Sequence, residues 1–210
     1  MQAIKRILAR WIHWKKRAFL RWLSVRLSQK LIHWEYLIFY KKKITGNESM
    51  IACPVEVEFR IASLSEIERL FAGSPEITKK VREELERGCE CVVGEIDGKI
   101  IFSGWLDFQR IYETGVMNYP LNANQAYIYR IFTTPAYRGR GIATSAYGFM
   151  FNRLFKKNVS QCFLSVSFEN AASIKTIEKN AFERCGAIHF IRFGKRVRII
   201  RERLNRKSEN

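Results

Sequence analysis

Residues Ala126–Asn152 read AYIYRIFTTPAYRGRGIATSAYGFMFN, and the rest of the chain is organised around them. Tyr127–Thr134 is dense in β-branched and aromatic residues and reads as a buried strand. Pro135 ends that strand, because it has no N–H to give to a ladder. Arg138-Gly139-Arg140-Gly141-Ile142-Ala143 follows, and it opens a helical pattern with apolar residues at Ile142, Tyr147, Phe149, Met150 and Leu154. A strand, a glycine-bearing turn and a helix start together make an anion cradle. Glycines let backbone N–H groups converge without Cβ obstruction, and the helix N-terminus adds positive partial charge. Arg138 and Arg140 bring charge-assisted donors for phosphate oxygens. A pyrophosphate suits such a corner.

The spacing excludes two other phosphate loops. There is no G-x-x-x-x-G-K-[ST], and Gly139-x-Gly141 lacks the third glycine of a dinucleotide fingerprint. The pattern present is R-x-x-G-x-A, with Pro135-x-Tyr137-Arg138-Gly139 leading into it. It resembles the coenzyme A pyrophosphate loop of the GNAT superfamily of acetyltransferases. By that resemblance Arg138, Gly139, Arg140, Gly141, Ile142 and Ala143 hold the pyrophosphate of acetyl-CoA or another acyl-CoA. Ile131, Phe132 and Thr133 lie where backbone groups meet the pantetheine and thioester.

A second stretch resembles the family's N-x-x-[SA]-x-x-x-Y-x-x-x-G-F, carried here by Asn170, Ser173, Ile177, Ala181 and Phe182. Asn170 can cap a helix and, by the resemblance, lies near the pantetheine arm. Where many members carry a tyrosine that protonates the departing thiolate, this chain has Ile177. A water or another hydroxyl must take that part.

The chain has 210 residues, 47% of them hydrophobic, which is enough for one ordinary domain with a core. Residues 1–50 hold 12 Lys or Arg against 2 Glu, a net of +10 out of the chain's +17. An anionic partner for this segment is implied, a membrane surface or nucleic acid. Over residues 2–30, Ile4, Ile7, Leu8, Trp11, Trp14, Ala18, Phe19 and Trp22 fall on one helical face, opposite Lys5, Arg6, Arg10, Lys16, Arg17 and Arg21. Tryptophan facing lysine and arginine suits an in-plane interfacial helix on an anionic membrane, and no run reaches the roughly 18 apolar residues of a membrane span. The location expected is cytoplasmic, at the cytoplasmic membrane face if that helix lies on lipid. Five cysteines read as reduced structural thiols, and the three histidines form no metal-ligand spacing.

Leu31–Tyr40 is apolar nearly all round and periodicity does not assign it, while Lys41–Lys43 and Thr45–Ser49 read as a linker. Residues 1–50 are thus expected to be a basic amphipathic helical extension and linker, and 51–210 a GNAT-like acyltransferase domain. Within it Val55–Ala62 alternates as a strand, and Ser65 with Glu68 forms a capping box for a short helix. Pro75 starts a second helix that stops at Gly88. Asp97-Gly98 turns a hairpin between Cys89–Ile96 and Lys99–Phe108, and Arg110–Asn124 reads as a long irregular connection. After the central strand and its helix come a strand at Gln161–Phe168, a helix at Asn170–Ala181, and a closing hairpin, Ala187–Phe193 with Arg196–Arg203. The fold class is α/β, and the order matches that of the GNAT fold, a mixed central sheet flanked by helices.

The reading that follows is an acyl-CoA-dependent N-acyltransferase. It moves an acyl group directly to an amine of a small molecule or peptide. Asp107 and Glu113 flank the loop before the central strand and are the candidate bases. Tyr127 and Tyr129 can hold a water, and Trp105 is a core residue or lines an acceptor pocket. Two other readings stand beside it: a catalytically silent GNAT-fold binding module, and a nucleic-acid- or ribosome-associated protein acting through its basic arm.

Overall fold

The computed structural model describes residues 32–48, 51, 53–71, 73–113, 117–193 and 196–202. The amphipathic stretch 2–30, the turn Gly194-Lys195 and the basic tail lie outside the described residues. In chain order the elements are β1 (Ile32–Lys43), β2 (Glu58–Ile61), α1 (Leu64–Phe71), α2 (Pro75–Glu86), β3 (Glu90–Ile96), β4 (Lys99–Asp107), β5 (Arg110–Glu113), β6 (Met117–Pro120), β7 (Gln125–Thr133), α3 (Ile142–Lys156), β8 (Gln161–Ser167), α4 (Ala171–Lys179), β9 (Glu183–Phe193) and β10 (Arg196–Glu202). Eight strands form one sheet in the order β10-β9-β1-β8-β7-β4-β3-β2, while β5 and β6 pair separately. Every neighbouring pair in the large sheet is antiparallel except β7–β8.

One face of the sheet packs against α3 and α4 through Ile128, Leu164, Tyr147, Met150, Phe151, Leu154 and Ile177. The other face carries α1, α2 and the β5–β6 hairpin, over Trp105, Cys91 and Val93 and over Tyr127, Ile111 and Phe190. Trp105 is 1% exposed and belongs to this core. Burial pushes the Cys91 thiol up to about 12 and the Cys89 thiol to about 11, so neither is a nucleophile near neutral pH.

Three expectations are corrected here. Residues 32–43 are neither helix nor linker: β1 lies between β8 and β9, with Tyr40 opposite Leu164 and Ile38 opposite Ala187. The large sheet therefore begins before residue 51. Leu37, Ile38, Phe39 and Tyr40 are all buried. A strand covered on both faces reads as an unbroken apolar run, which hides its period of two. Arg110–Pro120 is not irregular but a hairpin, Arg110 opposite Pro120 and Glu113 opposite Met117; four-residue strands are too short for a pattern to emerge. The capping box of α1 is Ser63 with Glu66, two residues earlier than Ser65 with Glu68. The Ser63 hydroxyl and N–H both donate to Glu66 Oε2, at 2.7 and 2.8 Å. Arg60 then adds two bonds to the same carboxylate, which Glu68 does not receive. By contrast Asp97 and Gly98 adopt φ of 49° and 74°, as the expected turn requires.

Candidate active site

The parallel pair β7–β8 is in register only from Gln125 opposite Gln161 to Ile128 opposite Leu164. Beyond that point β7 continues to Thr133 and β8 to Ser167, unpaired with each other. The centre of the sheet thus opens into a wedge. On its other side β7 stays bonded to β4, but with one extra residue: Ser103 faces Phe132 and Trp105 faces Tyr129, so Gly104 alone spans Arg130 and Ile131. Arg130 takes φ of 49°, which marks a β-bulge that re-aims the strand. Gly104 leaves room there: a Cβ would lie 2.6 Å from Ile131 Cδ1 and 2.4 Å from Met150 Cε, and those side-chain ends would have to shift.

At the top of the wedge Pro135 starts a short 3₁₀ turn, Pro135–Tyr137, and the loop then enters α3. Gly139 and Gly141 take φ of 75° and 78°, a conformation that favours glycine. Gly141 is the N-cap, and Ser145 N–H makes the first bond of the helix, 3.0 Å to Gly141 O. The N–H groups of Ile142, Ala143 and Thr144 thus precede any intrahelical acceptor. Among the described residues no acceptor reaches the amides of Gly139, Arg140 or Gly141 either. Arg138 donates Nε to Thr133 O at 3.0 Å and lies over the Phe132 ring at 5.8 Å, so its terminal nitrogens are available.

A cleft of about 500 Å³ runs between this loop and α4. Ile131, Phe132 and Thr133 line its β7 wall, Arg138, Gly139, Gly141, Ile142 and Ala143 its loop, and Asn170 the start of α4. Arg140 is the exception. It is not among the lining residues, and its guanidinium stacks over Tyr137 at 5.4 Å. Asn170 caps α4, its Oδ1 accepting from Ser173 N–H at 3.1 Å. Ile177 is 1% exposed in the core and does not face the cleft.

The sequence reading named Ser173 only as a motif position and missed Thr176 and Lys179; all three line the cleft below Asn170. A signal was there: counted from Ala172, which lines the same wall, they fall at i+1, i+4 and i+7 and so on one side of a helix. Thr176 Oγ1 donates to Ala172 O, while Ser173 Oγ has no partner among the described residues.

On the opposite face of the sheet, a cavity of about 140 Å³ lies between α2, β5 and β7, and Asp107 and Glu113 both line it. Asp107 is 2% exposed and fully engaged. Its Oδ2 accepts from Arg87 at 2.8 Å and its Oδ1 from the N–H groups of Gln109 and Arg110. Glu113 is arranged differently. Oε1 accepts from both the Tyr127 hydroxyl and the Ser165 hydroxyl, and Oε2 has no partner among the described residues. Burial and then the Glu113 charge push the Tyr127 phenol well above its ordinary value, so it stays an O–H donor. Ser165 lies just past the last paired residue of β8, which puts Glu113 over the wedge. Tyr129, expected to help hold a water, also lines the cavity.

Residues 61–182, more than half the chain, match the Acetyltransferase (GNAT) family. The chain belongs to that family. Solved structures share the GNAT fold at low identity. A Drosophila protein matches with a TM-score of 0.57 and 11% identity, over 82% of this chain and 56% of its own. A GCN5-related N-acetyltransferase from Sphaerobacter thermophilus matches with 0.54 and 14%, over 81% and 57%. A GNAT-family acetyltransferase from Colwellia psychrerythraea matches with 0.54 and 17%, over 82% and 56%. This GNAT chain therefore spans little more than half the length of these proteins. No curated protein matches it.

Proposed function

We propose that this GNAT-family chain is an acyl-CoA-dependent N-acyltransferase, acetyl-CoA being the simplest donor. The observation that carries the reading is the wedge between β7 and β8, opening beside a helix N-terminus whose amides are unpartnered among the described residues. Acyl-CoA supplies a thioester: the acceptor nitrogen bonds to its carbonyl carbon as the carbon–sulfur bond breaks, and CoA leaves as the thiol.

The residues present fit that group. Loop amides and the Arg138 guanidinium meet the pyrophosphate, and Asn170 Nδ2 meets the pantetheine arm. Of the backbone N–H groups of Ile131–Thr133, those that point away from β4, to the side of β7 that β8 leaves open, are the donors for a carbonyl oxygen. Glu113 Oε2 takes the proton of the acceptor ammonium, with Oε1 fixed by Tyr127 and Ser165. Asp107 positions Arg87 and the start of β5 rather than moving protons. Ile177 offers no proton, and the Ser173 hydroxyl is the group that can hydrogen-bond the departing sulfur.

The test is thermal unfolding with and without acetyl-CoA. A ligand at a hundred times its Kd stabilises by about 2.7 kcal/mol. Arg138→Ala, losing a charge-assisted phosphate contact, needs about tenfold or more acetyl-CoA for the same shift. Arg140→Ala changes the response less, since Arg140 does not line the cleft. Equal responses in wild type and Arg138→Ala count against the proposal.

A further inference from the structure

The cavity that holds Glu113 adjoins a second groove of about 380 Å³, and Lys80, Glu84, Arg87 and Tyr112 line both. Among the described residues two buried arginine nitrogens here have no hydrogen-bond partner, Arg87 Nε and Arg110 Nε, and the buried Tyr129 hydroxyl meets only the weakly accepting Cys89 thiol. Arg87 and Tyr129 line the inner cavity, Arg87 and Arg110 the groove. The two arginine nitrogens can only donate, and the Tyr129 hydroxyl can turn from the thiol to a better acceptor. Lys80 adds a fourth donor. It lies over the Tyr112 ring at 5.5 Å while Arg110 lies over the same ring at 4.9 Å, and among the described residues neither has a carboxylate within ion-pair distance.

The carboxylates nearby do not answer them. Glu84 is paired with Arg130 and Asp107 with Arg87 Nη2, while Glu76 and Glu83 line the groove beside Lys79 and Lys80 but are exposed, and no bond joins them to the buried Arg87 or Arg110 Nε. Buried donors left without acceptors are costly unless something else satisfies them. A ligand that did so would bring oxygen acceptors and negative charge.

We infer that the acceptor is an amine that also carries an oxyanion, a carboxylate or a phosphate. Its nitrogen faces Glu113 Oε2, and its anion is held among Lys80, Arg87 Nε, Arg110 Nε and the Tyr129 hydroxyl. This rests on the acyltransferase reading and adds the substrate class to it. Amines that carry no anion are the class such a groove disfavours, because they would leave the same buried donors unpaired.

The experiment uses full-length protein and thiol release from acetyl-CoA. Amines are assayed in matched pairs: an ω-amino acid against the alkylamine without its carboxylate, and an aminoalkyl phosphate against the corresponding amino alcohol. The oxyanion member is expected to have a kcat/KM about tenfold or more higher, the scale of one charge-assisted hydrogen bond. Lys80→Gln and Arg110→Gln are expected to bring each pair towards parity, with the acetyl-CoA thermal shift intact as proof of folding. Preference in the carboxylate arm, the phosphate arm or both supports the inference and identifies the anion. Equal or better turnover of the neutral partner overturns it, as does a preference that neither substitution alters. A protein stabilised by acetyl-CoA that acetylates no member of any pair also overturns it, leaving the acyltransferase reading in place. A wild-type protein with no response to acetyl-CoA sinks that reading itself.

Discussion

Replacing Glu113 with glutamine removes a proton acceptor while keeping the shape around it. Both hydroxyl donors, Tyr127 and Ser165, reach the same carboxylate oxygen, Oε1. A glutamine carbonyl can keep both bonds, so only Oε2 is exchanged, for an NH₂ that cannot take a proton. Stability should therefore change by about 1 kcal/mol or less, which for a chain of this size is a shift of about 2–4 °C in Tm. Catalysis should change far more, because a positioned general base is worth roughly 10²–10⁴ in rate, or about 2.7–5.5 kcal/mol. Glu113 lies on the opposite face of the sheet from the cleft, so the acetyl-CoA-induced thermal shift should be unaltered. The assay is thiol release at saturating acetyl-CoA with the best amine of the paired panel, alongside the thermal shift. A Glu113→Gln protein that turns over within about threefold of wild type at every pH, far short of that general-base factor, refutes the assignment. A lost acetyl-CoA response refutes the separation of the two faces.

Further expectations concern packing and pH. Gly104→Ala places a methyl against Ile131 Cδ1 and Met150 Cε. Overpacking of this kind costs about 1–3 kcal/mol, and because Ile131 is a cleft wall, calorimetry should show weaker acetyl-CoA binding together with the lower Tm. Bonds from Arg60, then from the Ser63 N–H and hydroxyl, hold the Glu66 carboxyl down at about 2, below its ordinary 4.5. A depressed carboxylate stabilises the fold fully above its unfolded value and loses that contribution as pH falls towards the folded one. Tm measured from about pH 4.5 down to about pH 2 should thus fall less steeply for Glu66→Gln than for wild type.

The strand-to-helix corner was legible in the sequence because it is local. Arg138 to Ala143 are adjacent in the chain, and the backbone that glycine, proline and the helix start dictate there needs no distant partner. Glu113 was legible as a residue type in a suggestive place, but its environment was not. Tyr127 and Ser165 are 14 and 38 to 52 positions away from the groups they touch, and the hairpin that carries Glu113 is too short to show a period. Asp107 looked equivalent to Glu113 until the bonds from Arg87, Gln109 and Arg110 distinguished them. At residues 32–43 the difficulty was physical: burial on both faces erases the alternation by which a strand is known.

That strand bears on how the molecule comes into being. β1 leaves the ribosome before every other strand of the sheet, yet its two partners are β8 and β9, made after most of the chain. Until they arrive it is an apolar ribbon with both edges bare, and afterwards it ties the closing β9–β10 hairpin to the wedge-bearing half. Pairings of such long sequence separation form slowly and expose sticky edges meanwhile. Trimming the chain back to residue 43 would strip out the middle of the sheet and leave two raw edges facing solvent, an invitation to aggregate.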